Sequence, residues 1–173
     1  MKKLLSVLLV LSLLSPACAL MEAAVQPLTQ EDFAFRFEDV SYQLGAEAAP
    51  LIKAISEKNG QEMTVTEADS LLFSGKDRDY AGEGIIVSTY PTGKDGADAI
   101  ETVMVLVQDY QTARGAHVGM TLDDIAALYG DEFTLDFDQM IYTLGEGQAT
   151  LTFAIDADSD TALCWTLSKN TAN

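Results

Sequence analysis

Ala149-Thr150-Leu151-Thr152-Phe153-Ala154-Ile155 and Ala162-Leu163-Cys164-Trp165-Thr166-Leu167-Ser168, separated by Asp156-Ala157-Asp158-Ser159-Asp160, decide the fold class. Each stretch alternates apolar with small polar side chains, the period-two pattern of a strand with one face buried and one face in water. The aspartate-rich segment between them has turn chemistry, so the pair reads as an antiparallel hairpin. One face is expected to carry Leu151, Phe153, Ile155, Leu163, Trp165 and Leu167. The other is expected to carry Thr150, Thr152, Cys164, Thr166 and Ser168. An earlier hairpin is expected from residues 85–90 and 100–107, dense in Ile, Val, Thr and Tyr and joined by Pro91-Thr92-Gly93-Lys94-Asp95-Gly96.

A helix is expected ahead of each hairpin. For residues 121–129, Thr121 is the N-cap and Asp123 and Asp124 suit the positive end of the helix dipole. Leu122, Ile125 and Leu128 share a face, and Gly130 is the stop. For residues 50–58, Pro50 fits the first turn, Leu51, Ile52 and Ile55 are apolar, and Asn59-Gly60 ends the segment. Phe33, Phe35 and Phe37 alternate with Ala34, Arg36 and Glu38, so folded structure is expected to start there. The halves also echo each other. Gly45 precedes Leu51 as Gly119 precedes Ile125, and Tyr80 leads into Gly82-Glu83-Gly84 as Tyr142 leads into Gly145-Glu146-Gly147. The reading is α+β: two tandem helix-plus-antiparallel-sheet repeats, residues 33–110 and 111–170, with the helices on one side of the sheet.

Gly119-Met120-Thr121-Leu122-Asp123-Asp124-Ile125, followed by Leu128-Tyr129-Gly130-Asp131, resembles the helix-opening motif of exported bacterial proteins with the beta-lactamase-inhibitor-protein-like fold. Outer-membrane assembly lipoproteins of the helix-then-sheet type share a similar motif. Ser88-Thr89-Tyr90-Pro91, within residues 85–93, resembles uncharacterised tandem-repeat lipoproteins of Gram-positive bacteria. The resemblance spans roughly residues 35–169 and implies a fold rather than an activity. This chain lacks the disulfides of the inhibitor proteins, and their enzyme-blocking residues map onto no position here.

The first nineteen residues read as an export signal. Lys2 and Lys3 form a basic start, residues 4–14 an apolar run too short to span a membrane, and Pro16 a break before small residues. Ala17-Cys18-Ala19 permits cleavage before Leu20, whereas Ser15-Pro16-Ala17-Cys18 resembles a lipobox that would make Cys18 a lipid anchor. Residues 20–32 read as a linker. The net charge of −17 falls by two to −19 when Lys2 and Lys3 are removed, which argues against nucleic acid and for a basic or neutral protein or peptide partner. Cys18 and Cys164 are the only cysteines, and processing removes or lipidates the first, so no disulfide framework is expected. The 48% hydrophobic content is enough for a core without one.

Signals for chemistry are sparse. His117 is the sole histidine, reads as a loop residue, and accompanies no nucleophile motif. One histidine and one mature cysteine fall short of a zinc site, and Cys164 reads as packing. Asp156, Asp158 and Asp160 match the start of a calcium loop, but Thr161 and Leu167 stand where Gly and Glu are needed, so a solvated turn is favoured. Gly82-Glu83-Gly84 lacks the third glycine of a dinucleotide fingerprint and reads as a turn. No cofactor is expected. The leading functional expectation is an exported, non-enzymatic binding module at the cell envelope. Its candidate face joins Ser88, Tyr90, Thr150, Thr152, Thr166 and Ser168. The alternative is an envelope-directed hydrolase using paired carboxylates drawn from acids such as Asp131, Glu132, Asp136 and Asp138. A purely structural envelope protein is the third.

Overall fold

A computed structural model describes residues 25–93, 96–145 and 147–170. The expected signal segment and Cys18 lie outside the described residues. A 3₁₀ turn, Gln30–Phe33, opens the fold, and a two-stranded sheet follows from β1 (Ala34–Phe37) and β2 (Val40–Gln43). Next come α1 (Ala49–Asn59), β3 (Thr64–Asp69), β4 (Lys76–Gly82), β5 (Ile85–Pro91) and β6 (Asp98–Val105). The chain finishes with α2 (Leu122–Tyr129), β7 (Thr134–Asp136), β8 (Gln139–Leu144), β9 (Ala149–Asp156) and β10 (Thr161–Lys169).

The eight later strands form one antiparallel sheet in the order β3-β4-β5-β6-β10-β9-β8-β7. The architecture is α+β, a large antiparallel sheet with two helices. Both hairpins expected from the sequence are present, as β5–β6 and β9–β10. They meet at the centre, where β6 pairs with β10 and Met104 lies opposite Thr166. In one half Ser88 pairs with Thr102 and Thr89 with Ile100, so Glu101 is extra. In the other Cys164 pairs with Ala154 and Ala162 with Ile155, so Leu163 is extra. Each extra residue bends its strand as a β-bulge does.

The chain entering each helix also binds the bulged strand. Gly45 N donates to Ile100 O at 2.7 Å, Ile100 N to Ala46 O at 2.9 Å and Ala48 N to Asp98 O at 2.9 Å. Gly119 N donates to Ala162 O at 2.8 Å, Ala162 N to Met120 O at 2.8 Å and Leu122 N to Asp160 O at 3.1 Å. Counted from the bulges, Tyr80 matches Met140 and Gly82 matches Tyr142, so the expected Tyr80–Tyr142 correspondence is displaced by two residues.

The core lies between the helices and one face of the sheet. Leu51 and Ile55 of α1 and Ile125 and Tyr129 of α2 join Ile85, Val87, Val103, Val105, Leu151, Phe153, Trp165 and Leu167. The small sheet closes the same side. Phe35 packs on Trp165 with ring centroids 6.0 Å apart, and both Phe35 and Phe37 pack on Tyr110.

Local sequence explains the helix ends. Thr121 accepts from Asp124 N at 3.2 Å. Gly60, at φ 65°, ends α1 in the left-handed conformation that glycine adopts without a Cβ clash. A further expectation needs correction: Leu163 was expected to face the core, but the bulge turns it outward to 55% exposure and buries Ala162 in its place. Within the expected linker, Thr29 N donates to Asp32 Oδ2 at 2.7 Å, and Arg114 binds Gln26, Pro27 and Asp32.

Candidate functional site

All six residues of the expected binding face lie half-buried on the side of the sheet opposite the helices. The register joins five of them, all but Tyr90, into two rows. Thr66, Asp79, Ser88, Thr102, Ser168, Thr150 and Thr143 follow one another across seven strands. At the usual interstrand spacing that row spans about 29 Å. The second row runs Thr64, Ala81, Ile86, Met104, Thr166, Thr152, Ile141 and Thr134 across all eight strands. Thr102 Oγ1 donates to Ser168 Oγ at 3.3 Å across the central joint. The alternation of β9 and β10 aims these short side chains away from the core, and β5 and β6 continue them.

Tyr90 sits at the corner of this face and is already engaged. Lys169 Nζ donates to its hydroxyl at 3.1 Å, and Phe73 stacks on its ring with centroids 4.9 Å apart. Phe73 belongs to the β3–β4 loop, residues 70–75, which sequence reasoning passed over. Ser70 N donates to Gly75 O at 3.0 Å and Phe73 N to Ser70 Oγ at 3.2 Å, so the loop is held shut. It nonetheless presents Leu71 at 98% exposure and Leu72 at 63%. The signal was readable: three consecutive apolar residues, Leu71-Leu72-Phe73, stand inside turn residues rather than between them. Through Phe73 and Tyr90 this apolar tip adjoins the hydroxyl face. Asp77 and Asp79 lie on the same face of β4, so the face turns acidic toward the tip.

On the helix side, β3 and β4 carry a charged network. Glu67 accepts from Lys76 Nζ and from Arg78 Nε, both at 2.7 Å, and Arg78 Nη1 reaches Asp98 Oδ2 at 2.6 Å. The hydrogen bonds from Lys76 and then Arg78 lower the Glu67 carboxyl to about 2. The acids weighed for a hydrolase, Asp131, Glu132, Asp136 and Asp138, are exposed in and before the β7–β8 hairpin.

In the Asp156 turn, Asp156 Oδ1 accepts from Asp158 N at 2.8 Å and Ser159 N at 3.1 Å. These backbone bonds, that from Ser159 first, hold its carboxyl below the ordinary aspartate value. The turn therefore uses Asp156 as its own cap. His117 Nδ1 lies 2.9 Å from Val118 O in the loop before α2, and Cys164 is half-buried beside Trp165. Among the described residues no group of three or more His, Cys, Asp or Glu stands close enough to hold a metal ion, and no helix is long and apolar enough to cross a membrane.

No family model, curated protein or solved structure matches this chain.

Proposed function

We propose that this protein is an exported, non-enzymatic binding module that recognises a protein or peptide at the cell envelope through its open sheet face. The observation that carries this is the juxtaposition of one hydroxyl-rich row and one row of mixed hydroxyl and apolar side chains with the exposed Leu71-Leu72 tip. Interfaces concentrate binding energy in a few apolar anchors surrounded by polar groups that exclude water and set register. Thr and Ser side chains carry little rotamer entropy to lose on binding and both donate and accept hydrogen bonds. Two leucines that are exposed in the free chain add almost nothing to its own stability, so their burial would count toward a partner. Asp77, Asp79 and the overall charge of −17 favour a basic or neutral partner over an anionic one.

The basic and apolar start of the sequence supports export, with release before Leu20 or lipidation at Cys18 as the two routes. We further propose that the halves are two copies of one helix-plus-four-strand unit, as in the beta-lactamase-inhibitor-protein-like arrangement. The matched bulges and the matched helix-entry hydrogen bonds support it.

Capture from envelope extract with the wild-type domain and with Thr152→Arg tests the function. Thr152 lies off the core, so the variant should fold normally while placing a long cation on the recognition face. A component retained by the wild type and lost by Thr152→Arg is expected. The same components at the same levels on both would remove the face as the binding surface.

A further inference from the structure

The sheet extends beyond its helical cover at the β3 edge, leaving a groove of about 1470 Å³ between α1 and the strands β3 and β4. Apolar groups line it, among them Ala48, Ile52, Met63 and Val65; Glu47, Glu57 and Glu62 supply acids, and Lys53, 3.7 Å from Glu57, and Arg78 supply bases. The other half closes the comparable space: Tyr142 packs on Tyr129 and Phe133, and its hydroxyl donates to Gly130 O at 2.8 Å. Counted from the bulges, Gly82 stands where Tyr142 would be; Met63 packs against that position and the Tyr80 ring lines the groove beside it, but the space stays open.

The open edge of the sheet points to an occupant. All six residues of β3 are exposed, and no described strand pairs with its outer edge. An open edge beside a groove suits an extended peptide: main-chain bonds extend the sheet, and alternate side chains fall beside Val65 into the groove.

We propose that this groove and the β3 edge form a second site, separate from the hydroxyl face, that binds an extended peptide alternating apolar and basic residues. Its charge matches a lining in which Glu47, Glu57, Glu62 and Asp98 outnumber Lys53 and Arg78, and its apolar side chains match the apolar groups there.

The test titrates the full domain with a fluorescent nine-residue peptide of alternating Val and Lys. A second peptide has the same composition but its lysines in one block, and a third has the alternating peptide's outward amides N-methylated. At physiological salt the alternating peptide is expected to bind at least tenfold tighter than either. Ser56→Trp, which fills the groove from α1, is expected to weaken it at least tenfold. Thr152→Arg and Leu71→Ser should leave it unchanged, so failure here and failure of the open-face reading are separable. Circular dichroism shows whether Ser56→Trp folds, and Glu62→Lys at the rim should also weaken binding if it does not. Equal binding of the alternating and block peptides would reduce the effect to bulk charge and overturn the proposal. Loss of binding in Thr152→Arg with retention in Ser56→Trp and Glu62→Lys would overturn it by moving the peptide to the other face.

Discussion

Arg114 is the residue on which the N-terminal segment depends. Its guanidinium donates to both carboxylate oxygens of Asp32, at 2.6 and 2.8 Å, and to the carbonyls of Gln26, Pro27 and Leu128. Removing one partner of a largely buried, bidentate pair leaves the other charge uncompensated, so Arg114→Ala should cost about 3 kcal/mol in urea unfolding. Burial alone would raise the Asp32 carboxyl, but hydrogen bonds from Arg114 and Thr29 lower it below its ordinary value. A lowered folded-state value stabilises the fold above the unfolded value of about 3.9 and loses that contribution as pH falls toward the folded one. Stability between pH 5 and 3 should therefore fall more steeply in the wild type than in Arg114→Ala; parallel curves would contradict the pairing. Phe137 is the opposite case, 97% exposed and at φ 51°, a conformation that suits glycine. Phe137→Gly should be neutral or stabilising by up to about 1 kcal/mol, and a loss above that in thermal unfolding would show a contact unaccounted for. Neither role was legible beforehand, because partners 82 residues apart and a left-handed turn position leave no local pattern.

The inner hairpins were legible and the outer ones were not. Ile85–Pro91 and Ala149–Asp156 alternate buried with half-buried residues along their whole length. Thr64–Asp69 and Thr134–Asp136 are exposed throughout, and Lys76–Gly82 begins Lys-Asp-Arg-Asp, so no hydrophobic period announces them. Their place is set by pairing to a strand already in the sheet. The candidate face was readable for the same reason as the inner strands, whereas the Leu71-Leu72 tip lies on an outer hairpin and was missed. Leu163 was misassigned because a bulge reverses the alternation without a glycine or proline to mark it. This ordering predicts amide exchange slowest in β6, β9 and β10 and fastest in β3 and β7, where burial is least. Protection of β3 equal to that of β10 would contradict it. At the helix level, Thr121→Ala should lose about 1 kcal/mol, the usual worth of an N-cap, by chemical denaturation.

At the scale of the molecule, the two halves meet through the β6–β10 pairing, and the core runs through that joint from Leu51 to Phe153. Residues 111–173 alone would lose β6 as a partner and Phe35 as cover for Trp165. That fragment should lack the near-ultraviolet signal of Trp165, the only tryptophan, which the whole chain should lose in one cooperative transition. A native signal from the fragment would mean that the halves fold independently. The same joint makes the open face continuous, carrying the hydroxyl row from β5 to β9 without a break. Recognition through that face is the central claim, and site-specific photocrosslinking in envelope extract tests it most directly. With a benzoylphenylalanine at position 152 on the open face, or at position 127 on α2, a defined adduct is predicted from 152 and none from 127. An adduct from 127 with none from 152 would place the partner on the helices and contradict the account.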